Sequence, residues 1–215
     1  MQPTVQDDYA TEAVPGLPEV LPRNELILWQ GRPSTWQLAK DALAIRWVAG
    51  YFLLLAFWRV GVSAADMGWA PALPLAIPFL VLGLLAMGLI LLVAWVQAKA
   101  TVYTITTSRV AMRVGAALTL TLNLPFSKID GAALDLKKNG TGTVAITTSG
   151  DTRLSYLVLW PHVRPWQMRK TEPALRSIPD AARVARILAD AAETHVSQPV
   201  LTAARPTGPA EVAAE

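Results

Sequence analysis

PALPLAIPFLVLGLLAMGLILLVAWV, residues 71–96, decides how this chain is built. No ionisable side chain interrupts the sequence from Met67 to Val96, which exceeds the roughly twenty apolar residues that cross a bilayer core. A second apolar run surrounds Trp47 to Trp58, beginning near Ala42 and reaching about Val62 if Arg59 snorkels. A soluble core can hide one such run but hardly two joined by SAADMGW. The two therefore read as a transmembrane helical hairpin within residues 42–97, with spans at 43–63 and 72–96.

Charge orients the hairpin. Arg32, Lys40, Arg46, Lys99, Arg109 and Arg113 flank it on the side of the termini, and the connecting loop offers only Asp66. Basic flanks stay in the cytoplasm, so both termini are expected there, in a multi-pass inner-membrane protein. Trp36, Trp47, Trp69 and Trp95 fall where amphipathic rings collect at bilayer interfaces, and Arg59 is placed to reach the far one.

Outward from the hairpin the composition changes. Residues 1–22 and 195–215 are Pro-, Gly- and Ala-rich without apolar period and read as flexible tails. MQPTVQDDYATEAVPG is acidic and has no apolar core, so it is not a signal peptide. Residues 23–41 are an ordered lead-in, in which Ser34 and Gln37 make an S-x-x-Q capping box after Pro33. The helix they open, carrying Trp36, Ala39, Leu43 and Trp47, is expected to run into the first span.

After Lys99 the period becomes two. TVYTITT, VAMRV, LTLTLNL (Leu118, Leu120, Leu122 and Leu124 on one face), AALDLK, TVAITT and RLSYLVLW read as successive strands, with turns at Asn139-Gly140 and Ser149-Gly150-Asp151. Six or so strands without helices between them predict an antiparallel sandwich or small barrel over residues 100–194. Pro179 and Asp180 then open one amphipathic helix with Val184, Ile187, Leu188 and Ala191 at i, i+3, i+4 and i+7.

Chemistry is sparse. The chain has no cysteine, which excludes disulfides, thiol catalysis and thiolate-bound metal. His162 and His195 are far apart, no phosphate-binding glycine loop occurs, and Asp130, Asp135 and Asp151 are scattered. The spans hold no carboxylate for a proton relay. No enzyme activity, resident metal, cofactor or nucleic-acid partner is expected.

One segment stands apart, LWPHVRPWQMRK at 159–170. Its prolines bias the preceding residues to extended backbone, so Trp160, His162, Arg164 and Trp166 are expected on a stiff strand-end loop, followed by Arg169 and Lys170. Tryptophan with arginine is the composition of binding hot spots, which makes these six candidate partner-binding residues. Contact with anionic headgroups and plain core packing are the competing readings. His162 as an axial ligand to the magnesium of a bacteriochlorophyll, in transient contact, competes with a hydrogen-bonded structural imidazole.

ELILWQGRP (25–33), the hairpin, and VYTITTSRVAMRVG (102–115) together resemble bacterial pleckstrin-homology-like (PH-like) domains of membrane-anchored proteins, with their W-x-G-R-P and T-x-x-R-V stretches. LWPHVRPWQMRKTEPALRSIPDAARVARILADA (159–191) is similar to the C-terminal signature of the PuhB family of photosynthetic-complex assembly proteins of purple bacteria. The resemblance covers about residues 20–192. It implies a seven-stranded PH-like β-sandwich capped by one C-terminal helix. It also implies a non-enzymatic factor in the cytoplasmic or intracytoplasmic photosynthetic membrane, assisting reaction-centre assembly within the reaction-centre–light-harvesting 1 complex. Partners would be reaction-centre subunits, light-harvesting 1 polypeptides or other assembly factors, and membrane lipids. The alternative is a membrane-anchored PH-like lipid- or protein-binding module unrelated to photosynthesis.

Overall fold

Seven strands, all paired antiparallel, form two sheets in the computed structural model, which describes residues 16–17, 21–22, 24–115, 119–150 and 154–197. One sheet runs β1 (Ile27–Gly31), β2 (Val102–Thr106), β3 (Arg109–Val114), β4 (Leu120–Pro125), and the other β5 (Ile129–Leu136), β6 (Gly142–Thr148), β7 (Ala174–Ile178). Tyr103, Ile105, Val110, Met112 and Leu124 of the first sheet meet Val144, Ile146, Leu175 and Ile178 of the second. The amphipathic helix Ala181–Ser197 closes this core with Ala181, Val184, Leu188 and Ala191. The alternating runs other than RLSYLVLW thus sit where period two placed them. Gly140, at φ +80°, turns the β5–β6 hairpin in a backbone region where its lack of a Cβ matters.

The hairpin is an insertion between β1 and β2. Trp29 pairs with Ile105 and Gly31 with Tyr103, so the LILW stretch before the spans is an integral strand of the domain and the unit begins well before residue 100. Trp29 lies over Gly31, where a Cβ would collide with the indole, which accounts for the tryptophan–glycine spacing. Glu25 is buried beneath the β2–β3 turn. Arg109 grips it with Nε and Nη2 at 2.8 and 3.1 Å, and the Thr106 hydroxyl donates to it at 2.6 Å. The T-x-x-R-V stretch is therefore a clamp for Glu25.

Helix α1 (Thr35–Asp41) starts after Ser34 as expected, but the reciprocal capping box does not form, since Ser34 makes no side-chain cap and Gln37 is buried. Nor does α1 run on into the span, because Ala44 takes a left-handed conformation (φ 53°) and breaks the chain between α1 and α2 (Ile45–Met67). Helix α2 reaches beyond the expected 63, absorbing most of SAADMGW, and Gly68 alone makes the reversal. The return begins with α3 (Trp69–Ala72), which holds Pro71, and a 3-10 turn (Leu73–Ala76), which holds Pro74, and continues as α4 (Ile77–Ala100), with Pro78 in its first turn. Ala56 and Val60 of α2 and Gly83 of α4 are buried, and the missing Cβ of Gly83 lets Phe52 approach closely. Both helices are long and apolar enough to cross a membrane, and only 17% and 11% of their most apolar windows are buried, so they are not core helices of the domain.

RLSYLVLW is not a strand. Tyr156–Leu159 form one helical turn, α5, and β7 at Ala174–Ile178 takes the expected strand's place in the sheet. Leu17 is buried and Gly16 abuts Val102, so the N-terminal tail touches the domain before residue 22. Leu118, Asp151, Arg153 and most of both tails lie outside the described residues.

Candidate functional site

Where the second apolar helix ends, the chain passes directly into the core strand β2, and the junction is held by buried polar groups. Thr101 caps α4 and donates its hydroxyl to the Gln97 carbonyl at 2.7 Å. With that proton committed, Thr101 Oγ1 accepts from His162 Nε2 at 3.1 Å. His162 Nδ1 is then the unprotonated nitrogen and accepts from the Tyr103 hydroxyl at 2.6 Å. Tyr103 in turn accepts from the Arg176 backbone N–H at 3.2 Å. In the neutral imidazole that burial favours, these bonds run in one direction along the whole chain. Burial, reinforced by the Arg176 charge, lowers the His162 pKa to about 4, and burial pushes the Tyr103 hydroxyl far above its ordinary value.

Arg176 completes the latch. Its guanidinium donates to the Pro161 carbonyl at 3.1 Å and to the Asp41 carbonyl, at the end of α1, at 2.6 Å. Burial lowers its pKa and the Asp41 charge partly restores it. One side chain therefore ties β7, the 161 loop and the entry to the first apolar helix. Asp41 also pairs with Lys137, and both line a groove of about 420 Å³ together with Asp135, Arg164 and Arg176.

The six candidate partner-binding residues divide. His162 is buried at 1% exposure with both ring nitrogens engaged, so it is neither displayed to a partner nor offered to a pigment magnesium. Arg164 is half-exposed and held by Glu172 at 2.9 Å. Trp160, Trp166, Arg169 and Lys170 are exposed, Trp166 at 90%, in irregular chain on either side of an antiparallel bridge from Val163 to Pro173, beside which the Ala174 N–H donates to the His162 carbonyl. Trp166 also holds a left-handed backbone (φ 66°), a costly conformation for a bulky side chain. Leu157, Val158 and Met168 join them on the surface, which no sequence pattern singled out. Among the interfacial residues, Trp47 and Trp95 lie near the domain end of the hairpin and Trp69 at the far end. Trp36 is exposed on α1 with Lys40 over its ring at 5.2 Å, and Arg59 projects outward from α2. No group of metal-ligating side chains occurs among the described residues.

A sandwich of antiparallel sheets capped by a helix, carrying an apolar hairpin latched to its base, defines a PH-like domain built around candidate membrane spans. The bacterial PH domain family model matches residues 42–192, and the chain belongs to that family. It is also 46% identical over 210 residues, 97% of this chain and 98% of the other, to an uncharacterized 23.7 kDa protein in the puhA 5′ region of Rhodobacter capsulatus. No solved structure matches.

Proposed function

We propose that this protein is a non-enzymatic, membrane-anchored assembly factor of the PuhB family, acting on the photosynthetic reaction centre within the reaction-centre–light-harvesting 1 complex. The observation that carries the reading is the nearly full-length relative encoded beside puhA, in a photosynthesis gene region. Identity of 46% over 210 residues, 97% of this chain, supports a shared role and not merely a shared domain. The hairpin crosses the inner membrane with both termini in the cytoplasm, because the basic residues flank its domain end and Asp66 stands near its turn. Reaction-centre subunits, light-harvesting 1 polypeptides or companion factors meet the outward faces of α2 and α4, where Leu53, Phe57, Leu85 and Leu92 are exposed. In a bilayer such faces pack against other spans by van der Waals contact.

Deleting the gene is expected to lower reaction-centre abundance in membrane absorption spectra while transcripts and pigment synthesis hold steady. Normal reaction-centre levels, during early assembly and at steady state, would refute the role.

A further inference from the structure

We infer that the segment 157–170 is a third membrane contact, an apolar tip that enters the headgroup layer of the leaflet beneath the domain. The inference rests on the reading of α2 and α4 as membrane spans. Its first support is position. Thr101, the last cap of α4, bonds His162, and Arg176 joins the Pro161 carbonyl to Asp41, four residues before α2 begins. Residues 161–164 are therefore fixed at the base of the hairpin, where the spans leave the bilayer. Trp166 is two residues from Arg164, and two residues reach at most about 7 Å.

The second support is chemistry. Leu157 (85% exposed), Val158 (61%), Trp166 (90%) and Met168 (66%) turn outward although the domain core is next to them. Trp166 is exposed from a left-handed backbone (φ 66°) that bulky residues seldom adopt. Arg169 and Lys170 accompany them, Arg164 is paired with Glu172 at 2.9 Å, and no carboxylate occurs between Ser155 and Thr171. Apolar and indole side chains with a cationic fringe match the boundary between acyl chains and anionic headgroups. Trp36 with Lys40, and Trp47 with Arg46, repeat that pairing around the same end of the hairpin, so the tip continues an interfacial ring. The residues that resemble a protein-binding hot spot are thereby assigned to lipid.

The chain has no cysteine, so single-cysteine variants of the full-length protein can each carry one environment-sensitive fluorophore. They are placed in nanodiscs of phosphatidylcholine and phosphatidylglycerol doped with nitroxide lipid. Leu85→Cys reports mid-span, Ser108→Cys reports the β2–β3 turn on the far side of the domain, and Trp166→Cys and Met168→Cys report the tip. Met168→Cys keeps Trp166 in place. A blue shift and nitroxide quenching at 85, 166 and 168 but not at 108 support the tip's insertion. Quenching at 85 with 166 and 168 behaving like 108 overturns it and leaves the spans intact. Loss of quenching at 85 as well removes the spanning reading and the tip with it. A shift at 166 and 168 that appears only on adding purified reaction centre assigns the segment to protein and overturns the lipid contact.

Discussion

Two halves of one stretch, residues 154–176, invert the usual arrangement of a folded chain. His162 and Arg176 are inside, bonded to Thr101, Tyr103, Pro161 and Asp41, whereas Leu157, Trp166 and Met168 are outside. In water neither half makes sense alone, because buried polar groups cost stability unless paired and exposed indoles lose the benefit of burial. Together they do. The polar half fixes the loop to the hairpin, and the apolar half uses that fixed position to meet a surface other than water. Rigidity inside is what gives exposure outside a direction.

The sharpest way to break the comparison is to remove its buried half. Arg176→Met deprives the Asp41 and Pro161 carbonyls of their donor, and an orphaned buried acceptor costs about 1–3 kcal/mol. The expected loss is on the order of 4 kcal/mol in unfolding of the detergent-solubilised protein, for two such groups. A loss under about 1 kcal/mol would mean the latch does not hold the junction.

Acid tests the same half more gently. His162 is held near pKa 4 in the fold against an ordinary 6.5, so the unfolded chain binds the extra proton first as pH falls. The contribution is fully present above pH 6.5 and is lost as pH drops toward 4. It amounts to on the order of 3 kcal/mol. Unfolding midpoints measured across that window should fall for the native chain and lie flatter for His162→Gln. Equal slopes would mean the imidazole titrates freely.

The exposed half should show the smallest stability effect. Trp166→Ala touches no core contact, and its unfolding free energy should shift by less than about 0.5 kcal/mol, as surface replacements usually do. A larger loss, seen in the same unfolding measurement, would make the indole a packing residue and dissolve the distinction between the halves.

Much of this architecture is legible in the sequence because it is local. Leu120, Leu122 and Leu124 alternate, Asn139-Gly140 turns, and Val184, Leu188 and Ala191 repeat at helical spacing. What is illegible depends on distant partners. β1 looks like a lead-in because its ladder partner lies beyond the whole hairpin. β7 is buried at every position and so shows no alternation, and the carbonyls of Asp41 and Pro161 that Arg176 within it binds are distant along the chain. RLSYLVLW carries strand-like composition, yet Leu157 and Val158 serve no sheet face and the segment closes as one helical turn. His162 reads as displayed because the prolines around it are visible, whereas Thr101 and Tyr103, some sixty positions earlier (separations of 61 and 59), are not.

The place of the hairpin between β1 and β2 bears on how the protein is made. The ribosome delivers β1 long before its partner, and the clamp from Glu25 to Arg109 spans the same gap, 84 positions along the chain. If both helices cross the bilayer, β1 and β2 return to one side and the first sheet can close. If only one crosses, the two strands are stranded in different compartments, the edge of β2 stays bare and Glu25 never meets Arg109. Closure of the first sheet therefore requires that β1 and β2 end on the same side, a condition written into the order of the strands.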